Sequence, residues 1–397
     1  NTSRYILKYD ILTRKGDKLM VNEKRLIESF VDLVKIDSVS REEKKIANFL
    51  VKKLKDLGLE VIVDQAGEKV KSNSGNIIAC LKGNKNKVIP IMFSAHMDTV
   101  VPGKNINPLR DGGKIVSDGK TILGADDKAA IAALLEALYI IKEKNISHGD
   151  IEIVFSICEE IGLHGAKNLD ISSLNARIAF ILDAGGQVGK IITTAPSQNS
   201  LKIIIYGKSA HAGSNPEEGI NAIQVAGFAL SRMKLGRIDE ETTTNIGIIS
   251  GGKATNIVPD EVTLEGEVRS RNEEKLEKHT ERLKKITEDT AQEFKAKAEV
   301  KINREYYCYN LSTDDQVVKI ATKAVKDMGL QPLLCPSGGG SDANVFNKKG
   351  FPSVVLAVGM EKVHTLEEYI LVKNLKNTAE YVLSIINTVV SGENSNE

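Results

Sequence analysis

Apolar side chains recur every three or four residues in two stretches near the start of the chain. Leu26, Phe30 and Leu33 mark the first stretch, and the second begins at Ile46 and stops at Gly58. This spacing places the apolar side chains on one face of a helix, and glycine favours a helix end. The pattern predicts two amphipathic helices.

Apolar runs of strand length follow these helices, and most are continuous rather than alternating with polar residues. They cover residues 60–63, 77–81, 88–93, 151–157, 178–182 and 353–358. Strands of this composition are typically buried on both faces between layers of helices. Further helices are predicted at 128–144, 315–328 and 372–390, so we expect an α/β layer sandwich.

The middle of the chain has a different order of elements. Strand 201–206, helix 217–233, strands 245–250 and 261–270, helix 273–294 and strand 298–303 form a β-α-β-β-α-β unit, which is ferredoxin-like. Apolar and polar residues alternate along 261–270, so one face of this sheet should pack on helices. The other face should stay open, which favours association with a partner.

Two domains are expected, because 397 residues exceed the usual size of one hydrophobic core. The order of elements predicts an α/β domain at 20–190 and 306–397, interrupted by the α+β domain at 191–305. The amphipathic pattern begins only after Met20. We therefore interpret residues 1–19 as an N-terminal extension outside the fold.

Composition and charge exclude several functional classes. The chain is 41% hydrophobic and 27% charged, as in ordinary globular proteins. A formal net charge of +1 offers no overall attraction to nucleic acid or to an anionic membrane. Four separated cysteines without a CxxC pair indicate neither a disulfide framework nor a thiolate zinc site. With no apolar segment of about 20 residues and no signal-peptide core, we expect a cytoplasmic protein.

Ionisable residues follow four of the predicted buried strands: His96 and Asp98, Glu159 and Glu160, Asp183, and His364. Ligands in α/β sheets bind beyond the carboxyl ends of the strands, so these groups can converge. Asp126 and Asp127 join them from the start of the Ala-rich helix. Each alone could be a turn residue, a helix cap or a solvated pair. Together, so many carboxylates would repel one another unless divalent cations were bound, and we therefore predict a divalent metal site.

The segments SAHMDTV, GADDKAA, EEIG, LDAGG, YGKSAHAG and SGGGSDAN occur in this order, before the late His364. In order and spacing they resemble the co-catalytic zinc peptidases of the M20 family, most closely its peptidase T-like (tripeptidase) branch. The resemblance extends from about residue 21 to residue 387. It implies a zinc-peptidase-like α/β/α catalytic domain with an inserted ferredoxin-like α+β lid and dimerisation domain.

The same resemblance implies a metal-ligand set. His96 and Glu160 would each bind a different metal ion, and Asp126 would bridge the two ions. Asp183 would complete the first site and His364 the second. Two divalent ions are implied, with zinc expected, although cobalt and manganese also suit mixed nitrogen and oxygen ligands.

Catalytic roles are also implied for three residues. Asp98 would orient the imidazole of His96. Glu159 would act as general base, taking a proton from the water held between the metal ions and delivering it to the leaving amine. His211, from the lid of the same chain or of a dimer partner, would polarise the substrate carbonyl.

Substrate contacts are implied at four positions. Asn256 and Arg269 resemble groups that bind the substrate backbone and its terminal carboxylate, for which paired hydrogen bonds from Arg are suited. Gly339 and Ser341 lie in a glycine-rich turn that would line the pocket with backbone amides. A phosphate cradle is the alternative for this turn, but it lacks the Lys of a P-loop.

The expected function is a two-metal aminopeptidase that hydrolyses the N-terminal peptide bond of short peptides, tripeptides above all, as a homodimer through the lid. An N-acyl amino acid deacylase or a carboxypeptidase of the same family is the alternative activity. A catalytically silent peptide-binding protein and a nucleotide-binding protein are the alternatives from other classes. No nucleic acid or membrane partner is expected.

Overall fold

The computed structural model describes residues 21–392. The predicted extension 1–19 lies outside the described residues. The chain forms two compact units: the first runs up to Thr193 and includes Leu311–Pro336 and the chain from Ser341, and the second comprises Thr194–Asn310 and Ser337–Gly340. No helix in the described range is both long and apolar enough to cross a membrane.

The first unit is built on a mixed sheet. Its strand order is Glu60–Val63, Ile77–Leu81, Ile151–Ser156, Ile91–His96, Ile178–Ala184, Ser353–Ala357 and Lys190–Ala195. The four strands from Ile151–Ser156 to Ser353–Ala357 are parallel to one another. Their carboxyl ends therefore lie along one edge of the sheet.

Burial differs between the centre and the edge of this sheet. Every residue of Ile91–His96, Ile151–Ser156 and Ser353–Ala357 is buried, as the continuous apolar runs predict. The edge strand Glu60–Val63 is largely exposed, so the expectation of burial on both faces is wrong there. It is apolar in sequence but pairs with a neighbour on one side only.

Helices surround the sheet: Glu23–Val34, Lys44–Asp56, Ala66–Val70, Ala125–Lys144, His164–Asn168, Gln316–Asp327, Asp342–Lys348 and Val372–Gly392. The Ala-rich helix Ala125–Lys144 packs on Ile91–His96 and Ile178–Ala184 and is also in contact with Glu23–Val34 and Val372–Gly392. It is buried along almost its whole length because most positions around it are apolar, although four charged residues are buried with them: Asp126, Asp127, Lys128 and Glu136. The start of this helix is thereby held at the sheet edge.

A second, small sheet in the first unit is not evident from the sequence. Its antiparallel order is Met360–Glu361, Tyr369–Leu371, Lys114–Val116 and Leu109–Asp111. Strands of two or three residues leave too short a pattern to recognise. The loop between the first two of these strands carries His364.

The second unit has an antiparallel sheet in the order Gly236–Arg237, Thr242–Gly251, Glu261–Ser270, Ser197–Tyr206 and Lys297–Tyr306. Helices Ala222–Arg232 and Glu273–Glu293 pack on it. Alternate residues of Glu261–Ser270 are buried, as the predicted β-α-β-β-α-β pattern requires. Pro216–Glu218 is a 3-10 turn of this unit, and Ile171–Ser173 is a 3-10 turn of the first unit. The short strands Tyr309–Asn310 and Leu333–Pro336 both pair with Lys190–Ala195.

Candidate metal centre

The five predicted metal ligands lie in the first unit, around the carboxyl ends of its parallel strands. His96 ends one strand, Glu160 follows the next, and Asp183 is one residue from the end of a third. Asp126 lies at the start of helix Ala125–Lys144, and His364 lies on the loop of the small sheet. Residues far apart in sequence are therefore brought to one edge of the sheet.

Two groups of potential ligand atoms share Asp126. His96, Asp126 and Asp183 form one group, and Asp126, Glu160 and His364 form the other; within each, the atoms lie within 4.8 Å of one another. Oδ1 of Asp126 is 3.0 Å from Nε2 of His96, whereas Oδ2 is 3.3 Å from Nε2 of His364. Each carboxylate oxygen of Asp126 thus faces a different group.

The carboxyl groups of this cluster strongly affect one another's ionisation. Burial, followed by the charge of Asp126, raises the pKa of Asp183 well above its ordinary value. Burial also raises the pKa of Glu160. Hydrogen bonds to Asp126 and Glu160 raise the pKa of His364 to about 10.

This donor set fits a pair of divalent cations. Imidazole nitrogens and carboxylate oxygens are the ligands that zinc, cobalt and manganese take in mixed sites. Hydrogen bonds from His364 and His96 outweigh burial at Asp126 and hold the pKa of its carboxyl well below the ordinary value. A bound cation would favour the ionised forms of Asp183 and Glu160, which burial disfavours.

Asp98 contacts His96 through its backbone carbonyl and through its carboxylate. Nδ1 of His96 lies 2.9 Å from the backbone carbonyl of Asp98, whereas the Asp98 carboxylate is 3.6 Å away. A carbonyl only accepts, so Nδ1 carries the hydrogen and Nε2 is left as the potential ligand atom. The carboxylate also accepts from the amides of Glu159 and Glu160, at 2.9 and 3.3 Å, and from the Ser40 hydroxyl at 2.6 Å. It fixes the segment that carries the predicted base.

Comparison with known proteins identifies the family. The model of Peptidase family M20/M25/M40 matches residues 92–388, about three quarters of the chain. The chain belongs to this family. It is therefore a metallopeptidase, and the predicted family, its peptidase T-like branch and the fold class are confirmed.

Relatives of the M20 chain match it over nearly its whole length. YqjE of Bacillus subtilis (strain 168), an uncharacterized protein, is 48% identical and is aligned over 92% of this chain and 99% of its own. Peptidase T of Clostridium perfringens (strain 13 / Type A) is 31% identical and is aligned over 91% of this chain and 98% of its own.

Two solved structures are similarly close to the M20 chain. Aminopeptidase PepT from Bacillus cereus ATCC 10987 is 46% identical with a TM-score of 0.84, covering 93% of this chain and 99% of its own. A tripeptidase from Staphylococcus aureus subsp. aureus mu50 is 44% identical with a TM-score of 0.89, covering 94% of this chain and 100% of its own. The fold of a catalytic and a lid unit is common to these chains.

Two further acidic residues of the M20 chain adjoin the cluster. Asp127 is fully buried; its Oδ2 accepts from the amide of His96 at 3.2 Å, and its Oδ1 has no partner. Burial raises its pKa well above the ordinary value, which favours the neutral acid. Asp342 accepts from the Ser156 hydroxyl at 2.6 Å, and burial raises its pKa to about 6. Neither residue belongs to the two groups of potential ligands.

Glu368 is a residue of this region that sequence reasoning missed. Its buried carboxylate accepts from the amides of Leu123 and Gly124 at 2.7 and 2.8 Å and from the amide of Asp126 at 3.0 Å. It lies four residues after His364 in the segment VHTLEE. Its nearness to His364 in sequence was the available signal. Nothing in the sequence pattern indicates that its carboxylate binds the backbone amides of Leu123, Gly124 and Asp126.

The pH dependence of stability follows from these pKa shifts. We expect the unfolding midpoint of the metal-free protein to fall as the pH rises from about 5 to about 8. Burial raises the folded-state pKa values of Asp342, Asp183 and Glu159, so their stabilising protons are lost as the pH rises through those values. For Asp342, whose pKa rises to about 6, this loss is complete once the pH has passed that value. His364 also stabilises the folded protein less as the pH rises, because its proton is lost towards pH 10.

Chelator-treated protein unfolded in urea at three pH values across this range provides the measurement. Zinc-loaded protein is the control, because metal binding requires deprotonated ligands and should reverse or flatten the trend. A midpoint of the metal-free protein that rises with pH would contradict the prediction.

The predicted lid residues His211 and Asn256 lie in the second unit, on adjoining loops. The backbone carbonyl of Asn256 accepts from the amide of Ala212 at 3.0 Å. Nδ1 of His211 accepts from the amides of Gly213 and Ser214, both at 3.1 Å. In the neutral ring, Nε2 therefore carries the hydrogen.

Arg269, also in the second unit, already holds a carboxylate. Its Nε and Nη2 donate to the two carboxylate oxygens of Glu267 at 2.8 and 2.9 Å. Gly339 belongs to the same unit, and its amide donates to Oγ of Ser337 at 3.0 Å. Ser341 belongs to the first unit, where its amide donates to Oδ1 of Asn344 at 3.0 Å. These two amides, predicted to line a substrate pocket, are thus engaged within the glycine-rich turn and the helix that follows it.

Proposed function

We propose that this M20 peptidase uses two divalent metal ions to hydrolyse the N-terminal peptide bond of short peptides, with tripeptides as preferred substrates. The observation that carries the proposal is the position of Asp126, which presents one carboxylate oxygen to each of two ligand groups. A carboxylate shared in this way is suited to holding two cations close together. Close pairs of metal ions are a recurring arrangement in aminopeptidases.

The residues that would hold the ions are those of the two groups: His96, Asp126 and Asp183 for one, and Asp126, Glu160 and His364 for the other. Zinc is the expected metal, and cobalt and manganese suit the same donors. When bound, such ions would polarise the scissile carbonyl and make water acidic enough to lose a proton near neutral pH.

Glu159 is suited to move that proton. Its side chain is buried beside the cluster, and its backbone amide is held by the Asp98 carboxylate. Burial, followed by the charge of Asp183, raises the pKa of Glu159 well above its ordinary value, so the carboxylate accepts a proton readily. We assign it the role of general base towards the attacking water and of acid towards the leaving amine.

The lid residues would act on the substrate itself. His211, with the hydrogen on Nε2, would donate to the carbonyl oxygen as negative charge develops there. Asn256 would bind the substrate backbone. Arg269 would bind the terminal carboxylate, which requires it to share or leave the Glu267 carboxylate. A homodimer through the lid unit, with His211 acting across subunits, stays a prediction.

The preference for tripeptides is supported by the similar Staphylococcus aureus protein, which is described as a tripeptidase. A panel of tripeptides, dipeptides and N-acyl amino acids, supplied to zinc-loaded protein, tests it. We expect kcat/KM to be at least about tenfold higher for tripeptides, with release of the N-terminal residue. Chelation should abolish turnover, and added Zn²⁺ should restore it.

Other outcomes of the same panel have distinct meanings. Activity confined to N-acyl amino acids would replace the aminopeptidase proposal by a deacylase, and release of the C-terminal residue would replace it by a carboxypeptidase. Peptide binding without turnover by zinc-loaded protein would indicate a catalytically silent peptide-binding protein.

A further inference from the structure

The carboxylate of Glu368 binds three backbone amides at the start of helix Ala125–Lys144. Its Oε2 accepts from Leu123 and Gly124 at 2.7 and 2.8 Å, and its Oε1 accepts from Asp126 at 3.0 Å. The side chain is only 1% exposed, so water does not replace it as an acceptor. Both carboxylate oxygens are therefore used to hold one short segment of backbone.

This segment is not regular helix. Asp126 and Asp127 have non-helical backbone angles, so the regular turns of helix Ala125–Lys144 begin only after them, and Leu123 and Gly124 precede the helix. Buried backbone amides outside regular secondary structure need another acceptor. The Asp126 side chain faces His96 and His364 and does not cap the helix. Glu368, 242 residues further along the chain than Asp126, supplies the acceptor.

The position of the Asp126 backbone determines the geometry of both ligand groups. Its two carboxylate oxygens lie 3.0 Å from His96 and 3.3 Å from His364, so a rotation of the residue moves both contacts together. Glu368 follows His364 by four residues on the same loop. One loop therefore carries a candidate ligand and also the anchor of the ligand shared by both groups.

We propose that Glu368 is a positioning residue that fixes Asp126 for simultaneous binding of two metal ions. This inference rests on the proposed two-metal function. The hydrogen bonds of Glu368 go to backbone amides rather than to ligand atoms, so it acts through Asp126 and not on the substrate. It goes beyond the five predicted ligands by linking the His364 loop to the Asp126 segment.

The test replaces Glu368 with glutamine in the full chain and titrates metal-free protein with Zn²⁺ against a chromophoric chelator. Gln keeps one acceptor oxygen but turns an amide donor towards a backbone N–H, so the segment should lose its fixed position. Outer-sphere partners of metal sites typically account for 10–100-fold in affinity or activity. We expect Zn²⁺ affinity to fall by about 10–100-fold and kcat at limiting Zn²⁺ to fall similarly, with KM within about threefold.

Glu367→Gln is the matched control, because Glu367 is adjacent and exposed and its side chain pairs with Lys362. It should leave Zn²⁺ affinity and kcat within about twofold of wild type, well below the expected 10–100-fold effect. Glu368→Asp keeps a carboxylate but shortens its reach by one methylene group. It should give an intermediate loss of affinity, and it takes the place of Glu368→Gln if that variant does not fold.

The outcomes separate this inference from the proposed function. If wild type binds two Zn²⁺ ions and the Glu368 variants bind them with unchanged affinity, the positioning role is overturned and the two-metal proposal stands. The same conclusion follows if the variants only lower the unfolding temperature of the metal-free protein. If wild type itself does not bind two Zn²⁺ ions, the two-metal proposal fails.

Discussion

Replacement of Glu159 by glutamine is expected to lower kcat by about 10²–10⁴-fold, the range that general acid–base catalysis contributes. Gln has nearly the same shape but accepts no proton from water near neutral pH. Glu159 belongs to neither group of potential ligands, so the variant should retain its metal. Steady-state kinetics on a tripeptide, together with metal analysis of the same sample, provide the measurement.

Glu160→Gln is the matched comparison, because it makes the same chemical change at the next residue. Glu160 lies 3.0 Å from His364 in the second ligand group, so its replacement should remove one equivalent of metal. Full activity of Glu159→Gln would exclude Glu159 as the base. Loss of metal from Glu159→Gln would instead give it a ligand role.

Replacement of Asp126 by asparagine is expected to remove both equivalents of metal. The amide is neutral and keeps a single acceptor oxygen, whereas the carboxylate offers one oxygen to each ligand group. Loss of an outer-sphere partner alone costs 10–100-fold in affinity or activity, so loss of the shared ligand should lower activity by more than about 100-fold. Metal analysis after dialysis, combined with kinetics at added Zn²⁺, measures both effects.

Asp127→Asn is the control for this experiment. Its buried carboxyl has a strongly raised pKa and belongs to neither ligand group, so a neutral amide resembles the acid already present. This variant should bind two metal ions as wild type does. If Asp126→Asn lost only one equivalent, Asp126 would serve a single ion and the shared-ligand model would be wrong.

The fold and the candidate ligands were predictable because buried parallel strands have a recognisable sequence. Continuous apolar runs located Ile91–His96 and Ile151–Ser156 to within three residues, and the ionisable residues that follow them meet at the sheet edge. The edge strand Glu60–Val63 is also an apolar run in sequence, but it is largely exposed. Whether a strand is central or at an edge depends on its partners, which a local pattern does not contain.

The residues that contact the candidate ligands were only partly predictable. Asp98 was expected to orient His96 through its carboxylate, which lies 3.6 Å from Nδ1, but its backbone carbonyl also accepts from the ring, at 2.9 Å. Any residue at position 98 provides a carbonyl, so the sequence carries no signal for it. In contrast, Glu267 and Arg269 are two residues apart on one strand and therefore share a face. Their ion pair was therefore predictable from the sequence.

The position of strand Ser353–Ala357 affects the order in which the two units can be completed during synthesis. This strand lies between Ile178–Ala184 and Lys190–Ala195, so the catalytic sheet has a gap until residue 357 has left the ribosome. All pairings of the five-stranded sheet lie within residues 197–306. At about 5–20 residues per second, the remaining stretch takes several seconds to synthesise. The inserted sheet can therefore form before the sheet of the unit into which it is inserted.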